Sequence, residues 1–334
     1  MKSDRLRIRV GTRRSALARA QTRHVIDLIK AHQPEIEFDI HLIQSGGDYD
    51  RTSEFHQFGI IGVFTKAVEA ALAEDKADIV VHSLKDLPTT LAEGMQLAAV
   101  PKRENALDAL CGSTLADLPN GARVGTGSLR RQAQILALRP DIKVVPIRGN
   151  VPPRLKLTKG ANALDAVILA KAGLDRLGLT DEIAEVLSAK QFPYAVGQGA
   201  LGIEIRAGDT RLAAMLKTIE DPRARAEVDA ERAMLHALGA GCSLPVGVNV
   251  TWTGSKLLVE AQVTSLDGSE RILGRGEGTA ANAEAAGLAC AAELRAKGGV
   301  KLLETSYRAY CHHFRLTDAD GREHPSEPAR AAGS

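Results

Sequence analysis

Over the first two hundred residues, short apolar runs alternate with helical patterns, and this alternation constrains the fold more than any other feature. The runs are RLRIRV (5–10), DIVV (78–81), QLAAV (96–100), IKVVPI (142–147), DAVILA (165–170) and GIEIR (202–206). Several show no polar–apolar alternation, the mark of strands buried on both faces. Helical periodicity covers 15–31, 63–74 and 209–219. Strand and helix in turn predict parallel α/β domains. Beyond residue 220 the order changes: a charged helix (222–238), three strands (245–251, 257–264, 270–276) and an alanine-rich helix (280–297) predict a smaller α+β domain. The stretch after about residue 314 has no periodicity and reads as a mobile tail. With 334 residues the chain exceeds one simple core, so two or three domains are expected.

A net charge of +2 is too small for bulk electrostatics to bind nucleic acid or a membrane, so anion binding has to come from local arginine clusters. The N-terminal stretch MKSDRLRIRVGTRRS has no apolar h-region, and no segment approaches the length of a membrane span. A cytoplasmic protein is expected. Cys111, Cys242, Cys290 and Cys311 lie far apart without a C-x-x-C pair, which suggests reduced thiols rather than a zinc site or a disulfide framework.

Two segments echo one another. RVGTRRSALARAQ (9–21) and RVGTGSLRRQAQI (123–135) each run from a strand through Gly-Thr into a helix opened by Ser and arginines, implying two similar domains. The first N–H groups of a helix lack backbone partners and sit at the positive end of its dipole, so such turns suit a carboxylate or phosphate. Arg13, Arg14 and Ser15 mark one turn; Thr126, Ser128, Arg130 and Arg131 mark the other; Arg148 and Arg154 follow a third strand end. Ligands of open α/β sheets bind beyond the carboxyl ends of the strands, so these groups can converge on an interdomain cleft. Taken singly, any one of these arginines reads equally well as a solvated or paired surface residue.

In DIVVHSLKDLP (78–88), His82, Lys85 and Asp86 lie just beyond a buried strand. A carboxylate at Asp86 can hold a cationic intermediate or carry a proton; it can also simply close a turn. GQGALG (197–202) satisfies G-x-G-x-x-G, yet a strand follows it instead of a helix, which argues against a dinucleotide site. Three adjacent residues in CHHF (311–314) cannot easily point at one ion, so no metal site is expected. Cys290 reads as helix packing and Cys111 as a strand filler. Cys242, in GAGCSLPVG (239–247), stays open between a nucleophile, an attachment point for a prosthetic group and a small residue in a tight turn.

Taken in order, GTRRS, VHSLKDLP, VGTGSLRRQ, IRGN, DAVILAKAGLDRLGL, AVGQGALGIE and AERAM…GAGCSLPVG resemble the porphobilinogen deaminase (hydroxymethylbilane synthase) family of tetrapyrrole biosynthesis, from about residue 5 to about 310. The resemblance implies two lobes like those of type II periplasmic binding proteins and a third domain bearing the cysteine. Domain 1 would comprise 1–101 and 202–219, domain 2 102–201, domain 3 220–313, with 314–334 as the tail. It implies a transferase of heme biosynthesis that deaminates and polymerises four porphobilinogen molecules into hydroxymethylbilane. The dipyrromethane cofactor would be held by a thioether to Cys242, and Asp86 would be the catalytic aspartate. Arg13, Ser15, Lys85, Thr126, Ser128, Arg130, Arg131, Arg148, Arg154 and Arg176 would bind the acetate and propionate groups of cofactor and substrate. A monomer that passes its product to uroporphyrinogen-III synthase is also implied.

The sequence departs from the family in three places. Gly59, Ile60, Ile61 and Gly62 stand where many members have a Gly-Gly-Lys-Gly lid, Gly127 stands where a second serine is frequent, and Ala240 replaces a glycine before the cysteine. The rival from another class is a non-enzymatic carboxylate-binding or sensor protein on the same two-lobed scaffold, which fold alone does not separate from an enzyme.

Overall fold

The computed structural model describes residues 6–43, 65–239 and 244–313, with side chains except at 307 and 309–313. Cys242, Ala240, the lid positions 59–62 and the tail after residue 313 lie outside the described residues.

The first lobe is built from β1 (Arg7–Arg13), α1 (Ala16–His32), β2 (Glu37–Ile43), α2 (Lys66–Ala73), β3 (Ile79–Ser83) and β4 (Met95–Ala99). The chain then crosses into a second lobe: β5 (Asp108–Cys111), β6 (Arg123–Gly125), α3 (Leu129–Leu138), β7 (Lys143–Val145), α4 (Val151–Leu155), β8 (Ala166–Ala170), α5 (Lys171–Arg176) and β9 (Glu185–Val186). It returns through β10 (Leu201–Arg206) and α6 (Thr210–Lys217). The remainder is α7 (Pro222–Ala237), β11 (Val246–Thr253), β12 (Lys256–Thr264), β13 (Arg271–Gly278), α8 (Ala283–Ala296) and α9 (Gly299–His313).

The two five-stranded sheets have strand orders β2-β1-β3-β10-β4 and β7-β6-β8-β5-β9. In each, the first three strands are parallel, and the fourth is antiparallel to its neighbours. The internal echo in the sequence therefore falls on equivalent elements, β1–α1 and β6–α3. Each sheet of these α/β lobes is thus parallel over three strands and mixed beyond them. Leu201 of β10 pairs with Ser83 at the carboxyl end of β3, and Asp108 of β5 pairs with Ala170 at the carboxyl end of β8. A segment that arrives from the other lobe at that end can only run back down the sheet, whatever its local sequence.

The non-alternating strands are buried on both faces. Ile79 and Val81 of β3 join one apolar core with Val25, Ile203 and Leu216, while Val80 joins another with Val68 and Leu72 of α2. In β8, Ala166 and Ile168 face one core and Val167 and Leu169 the other. The smaller domain stacks α7 and α8 against the antiparallel sheet β11-β12-β13, with Cys290 of α8 in its core. Cys111 fills β5 as expected; burial pushes its thiol up to about 11 and that of Cys290 up to about 12, so both are inert packing groups.

Candidate active site

Both echoed turns place a serine at a helix N-cap. Ser15 Oγ accepts from the Ala18 N–H at 3.2 Å and Ser128 Oγ from the Arg131 N–H at 3.4 Å, each satisfying one of the free donors of its first turn. The Ser128 N–H in turn donates to Thr126 Oγ1 at 3.2 Å. Gly127 between them lies so close to the next strand's exit that a Cβ there would stand 2.6 Å from the Ile147 carbonyl oxygen. Arg13 ends β1, Arg148 is exposed just after β7, Arg154 lies in α4, and Arg176 ends α5.

Asp86 closes a one-turn 3-10 helix, Leu84–Asp86, that leaves β3 at its carboxyl end. The Leu84 N–H donates to the Ala200 carbonyl at 3.0 Å, tying this turn to the segment before β10. GQGALG is that segment, and its glycines are explained by contact rather than by a nucleotide. A Cβ on Gly197, whose φ is +71°, would lie 2.8 Å from Leu84 Cδ2 and 3.0 Å from the Lys85 nitrogen; one on Gly202 would lie 2.6 Å from Leu84 Cδ1.

Between these glycines, buried Gln198 joins the lobes. Its Nε2 donates to Asp108 Oδ1 at 2.9 Å and to the Ala106 carbonyl at 2.7 Å, while its Oε1 accepts from Lys85 Nζ at 3.4 Å. Asp108 is fully buried and faces two arginines: Arg131 Nη2 at 2.7 Å and Arg130 Nη2 at 2.8 Å. Arg131 also donates Nε to Asp108 and Nη1 to the Ile168 carbonyl; Arg130 Nη1 reaches the Pro193 carbonyl at 2.7 Å. The two guanidiniums and the Gln198 bond hold the Asp108 carboxyl down at about 2 against the opposing effect of burial.

Neither Asp108 nor Gln198 is among the residues singled out from sequence. An aspartate opening the otherwise apolar strand LDALC was the available signal for Asp108; Gln198 had none, because its neighbours drew attention as a glycine motif.

One electrostatic field contains most of the expected site. Burial pushes the Lys85 ammonium down to about 8, reinforced by Arg131 and Arg130 and opposed by Asp86 and Asp108. Burial and then Arg131 lower the Arg154 guanidinium to about 10, with Asp86 again opposing. Among the described residues, Lys85 and Arg154 share this field with Arg130 and Arg131, and Asp86 and Asp108 are the carboxylates that act on them most. Arg176 joins from α5, its Nη2 donating to the Gly199 carbonyl at 2.8 Å. Arg130, Arg154 and Arg176 each keep a buried Nε–H without a partner among the described residues. Buried guanidinium donors are rarely left unused, so an excess of positive charge with unmet donors fits a ligand that carries several carboxylates.

Such an arrangement defines a two-lobed α/β protein whose buried cations with unmet donors suit an acidic ligand. The family described as porphobilinogen deaminase, dipyromethane cofactor binding domain, matches residues 8–214, and porphobilinogen deaminase, C-terminal domain, matches 225–296. The chain belongs to the porphobilinogen deaminase family. It is 45% identical over 298 residues to the porphobilinogen deaminase of Desulforudis audaxviator, covering 88% of this chain and 96% of that one. Against the porphobilinogen deaminase of Nostoc sp. it is 41% identical over 312 residues, covering 91% of this chain and 96% of that one. Among solved structures, a methionine-bound nutrient binding protein from Burkholderia cenocepacia aligns with TM-score 0.38 and 13% identity, over 65% of this chain and 93% of that one. The benzoate-bound effector binding domain of BenM aligns with TM-score 0.40 and 15% identity, over 65% and 91%.

Proposed function

We infer that the chain is a transferase that deaminates four porphobilinogen molecules and joins them into hydroxymethylbilane, releasing ammonia, with Asp86 as its catalytic carboxylate. The observation that supports this assignment of Asp86 is its place at the end of the turn that leaves β3, where its charge acts on Lys85 and Arg154, while Asp108 is taken up by Arg130 and Arg131. Family membership favours the enzyme over a carboxylate-binding protein without activity.

Each addition removes an amine and creates a cationic pyrrole, so the site needs a group that can place a proton on the departing nitrogen and face developing positive charge. Asp86 serves both needs, and its proton returns in every cycle. The arginines and Lys85 bind acetate and propionate groups through charge-assisted hydrogen bonds, each contributing about 1.5–3 kcal/mol. Arg130, Arg154 and Arg176 offer unmet donors for that purpose; Arg13, Ser15, Thr126, Ser128 and Arg148 stand at the same strand and helix ends. The dipyrromethane cofactor supplies a free pyrrole α-carbon as the growing end. Cys242, five residues beyond the end of α7 at Ala237, would hold it through a thioether. Four additions give a chain with about twelve carboxylates, more than these cations can hold in fixed pairs, so the growing chain shifts through the cleft or the domains open. The protein acts as a cytoplasmic monomer and hands its product to uroporphyrinogen-III synthase; among the described residues no helix is long and apolar enough to cross a membrane.

Intact mass spectrometry of the denatured, freshly purified chain is the deciding experiment. A dipyrromethane adduct on the peptide containing Cys242, absent after Cys242→Ser, is expected. An unmodified parent chain overturns the assignment of the attachment, and an adduct that survives in Cys242→Ser places the link elsewhere.

A further inference from the structure

The turn that carries Asp86 is held on its far side by a residue of the third domain. Arg232, on α7, donates Nη1 to the Leu87 carbonyl at 3.2 Å and Nη2 to the Pro88 and Thr89 carbonyls at 2.7 and 3.1 Å. These three oxygens directly follow Leu84–Asp86 in the chain. One turn further along α7, His236 Nδ1 approaches Thr89 Oγ1 at 3.5 Å. Arg232 makes no ion pair with a carboxylate among the described residues; Asp229 and Glu204 act on its charge from longer range, and burial lowers its affinity for the proton. Its planar fork is therefore committed to backbone carbonyls, a geometry a lysine ammonium does not reproduce.

The preceding residue of the same helix holds the segment that packs against the turn. Glu231 Oε2 accepts from the Gly197 N–H at 2.7 Å, and Gly197 is the glycine packed under Leu84. Glu231 also pairs with Arg103 at 2.6 Å, on the other crossing between the lobes. The Asp86 turn is thus tied to α7 twice, directly by Arg232 and through Gly197 by Glu231. In the sequence, Cys242 lies five residues beyond the end of α7 at Ala237.

We propose that Arg232 is a positioning residue for the reaction: by clamping residues 87–89 to α7 it sets where the Asp86 carboxylate stands at the end of the turn that leaves β3. The proposal rests on the roles assigned above to Asp86 and Cys242. A small misplacement of a catalytic group lowers turnover far more than it lowers binding, because of the binding cations only Lys85 shares its turn, while Arg130, Arg131, Arg154 and Arg176 stand on α3, α4 and α5.

The test uses the full-length chain as Arg232→Gln and Arg232→Lys beside the parent, with three readouts. Intact mass is expected to show the same adduct in all three. Steady-state kinetics with porphobilinogen, normalised to adduct-bearing protein, are expected to show kcat lowered at least about tenfold with KM within about threefold. Amide hydrogen exchange is expected to quicken in residues 84–90 and to stay unchanged in β11, β12 and β13. A purely structural role would lower the melting temperature and the loaded fraction but leave kcat per loaded molecule intact. The proposal is overturned by a kcat within about twofold of the parent in loaded Arg232→Gln, or by unchanged exchange at 84–90. If Arg232→Gln does not fold, Arg232→Lys carries the same comparisons. A parent chain without adduct would count against the functional reading, and the exchange comparison would still decide the clamp.

Discussion

Asp108 Oδ1 lies 2.7 Å from Arg131 Nη2, and this buried contact joins the start of β5, where the chain enters the second lobe, to the first turn of α3. With Arg130 on its other oxygen, Asp108 is the counter-charge that lets two guanidiniums remain buried at the centre of the site. Replacing it by alanine strands both. Asp108→Ala is expected to destabilise the chain by about 3–5 kcal/mol in urea unfolding, the usual cost of removing one partner from a buried pair. Its carboxyl sits at about 2 when folded, below the unfolded value of about 3.9, so its contribution is present above about pH 4 and is lost as pH falls through about 2. Stability measured from pH 5 to pH 2 should therefore fall less steeply in the variant; equal slopes would show that the pair contributes little.

Lys85 is lowered to about 8, from burial first and from Arg131 next. Below that pH it is charged and, in the role proposed for it, would attract substrate carboxylates; above it the charge is lost. For the free enzyme, kcat/KM is expected to decline as pH rises through about 8, mostly through KM. Lys85→Arg, which keeps its charge throughout this range, should flatten the alkaline limb. An unchanged limb in that variant would assign it to another group. In the folded chain alone the sign is opposite: a charged Lys85 is unfavourable below about 8, so its cost to stability is relieved between about 8 and about 10.4.

Gly197→Ala places a methyl group against Leu84 and the Lys85 nitrogen from a position with φ of +71°. The backbone there must shift, and the Asp86 turn must shift with it. Turnover is expected to fall by about tenfold or more while the adduct still forms, with a stability loss of about 1–3 kcal/mol. Normal turnover in a destabilised Gly197→Ala would confine the glycine's role to packing.

Asp86→Ala is expected to retain some cofactor loading while turnover drops by orders of magnitude. Ammonia release measured with porphobilinogen checks this directly. Near-normal release would remove Asp86 from the chemistry.

The sequence by itself determined the local parts. Apolar runs without alternation specified strands buried on both faces, because a strand enclosed by helices has no solvent side to mark. Ser15 and Ser128 marked helix starts, because a cap is formed by neighbours three residues away. The ordered motifs around Lys85, Asp86, Arg131 and Cys242 also carried the family likeness. Tertiary structure alone decided which way β5 and β10 run, since that depends on the end of the sheet at which a crossing segment arrives. It alone showed that Arg130 and Arg131 share Asp108, that the GQGALG glycines are spaces for Leu84, and that Arg232 holds the carbonyls beyond Asp86. Those contacts join residues between 22 and 145 positions apart, a separation at which local patterning carries no information and only the packed chain brings donor to acceptor.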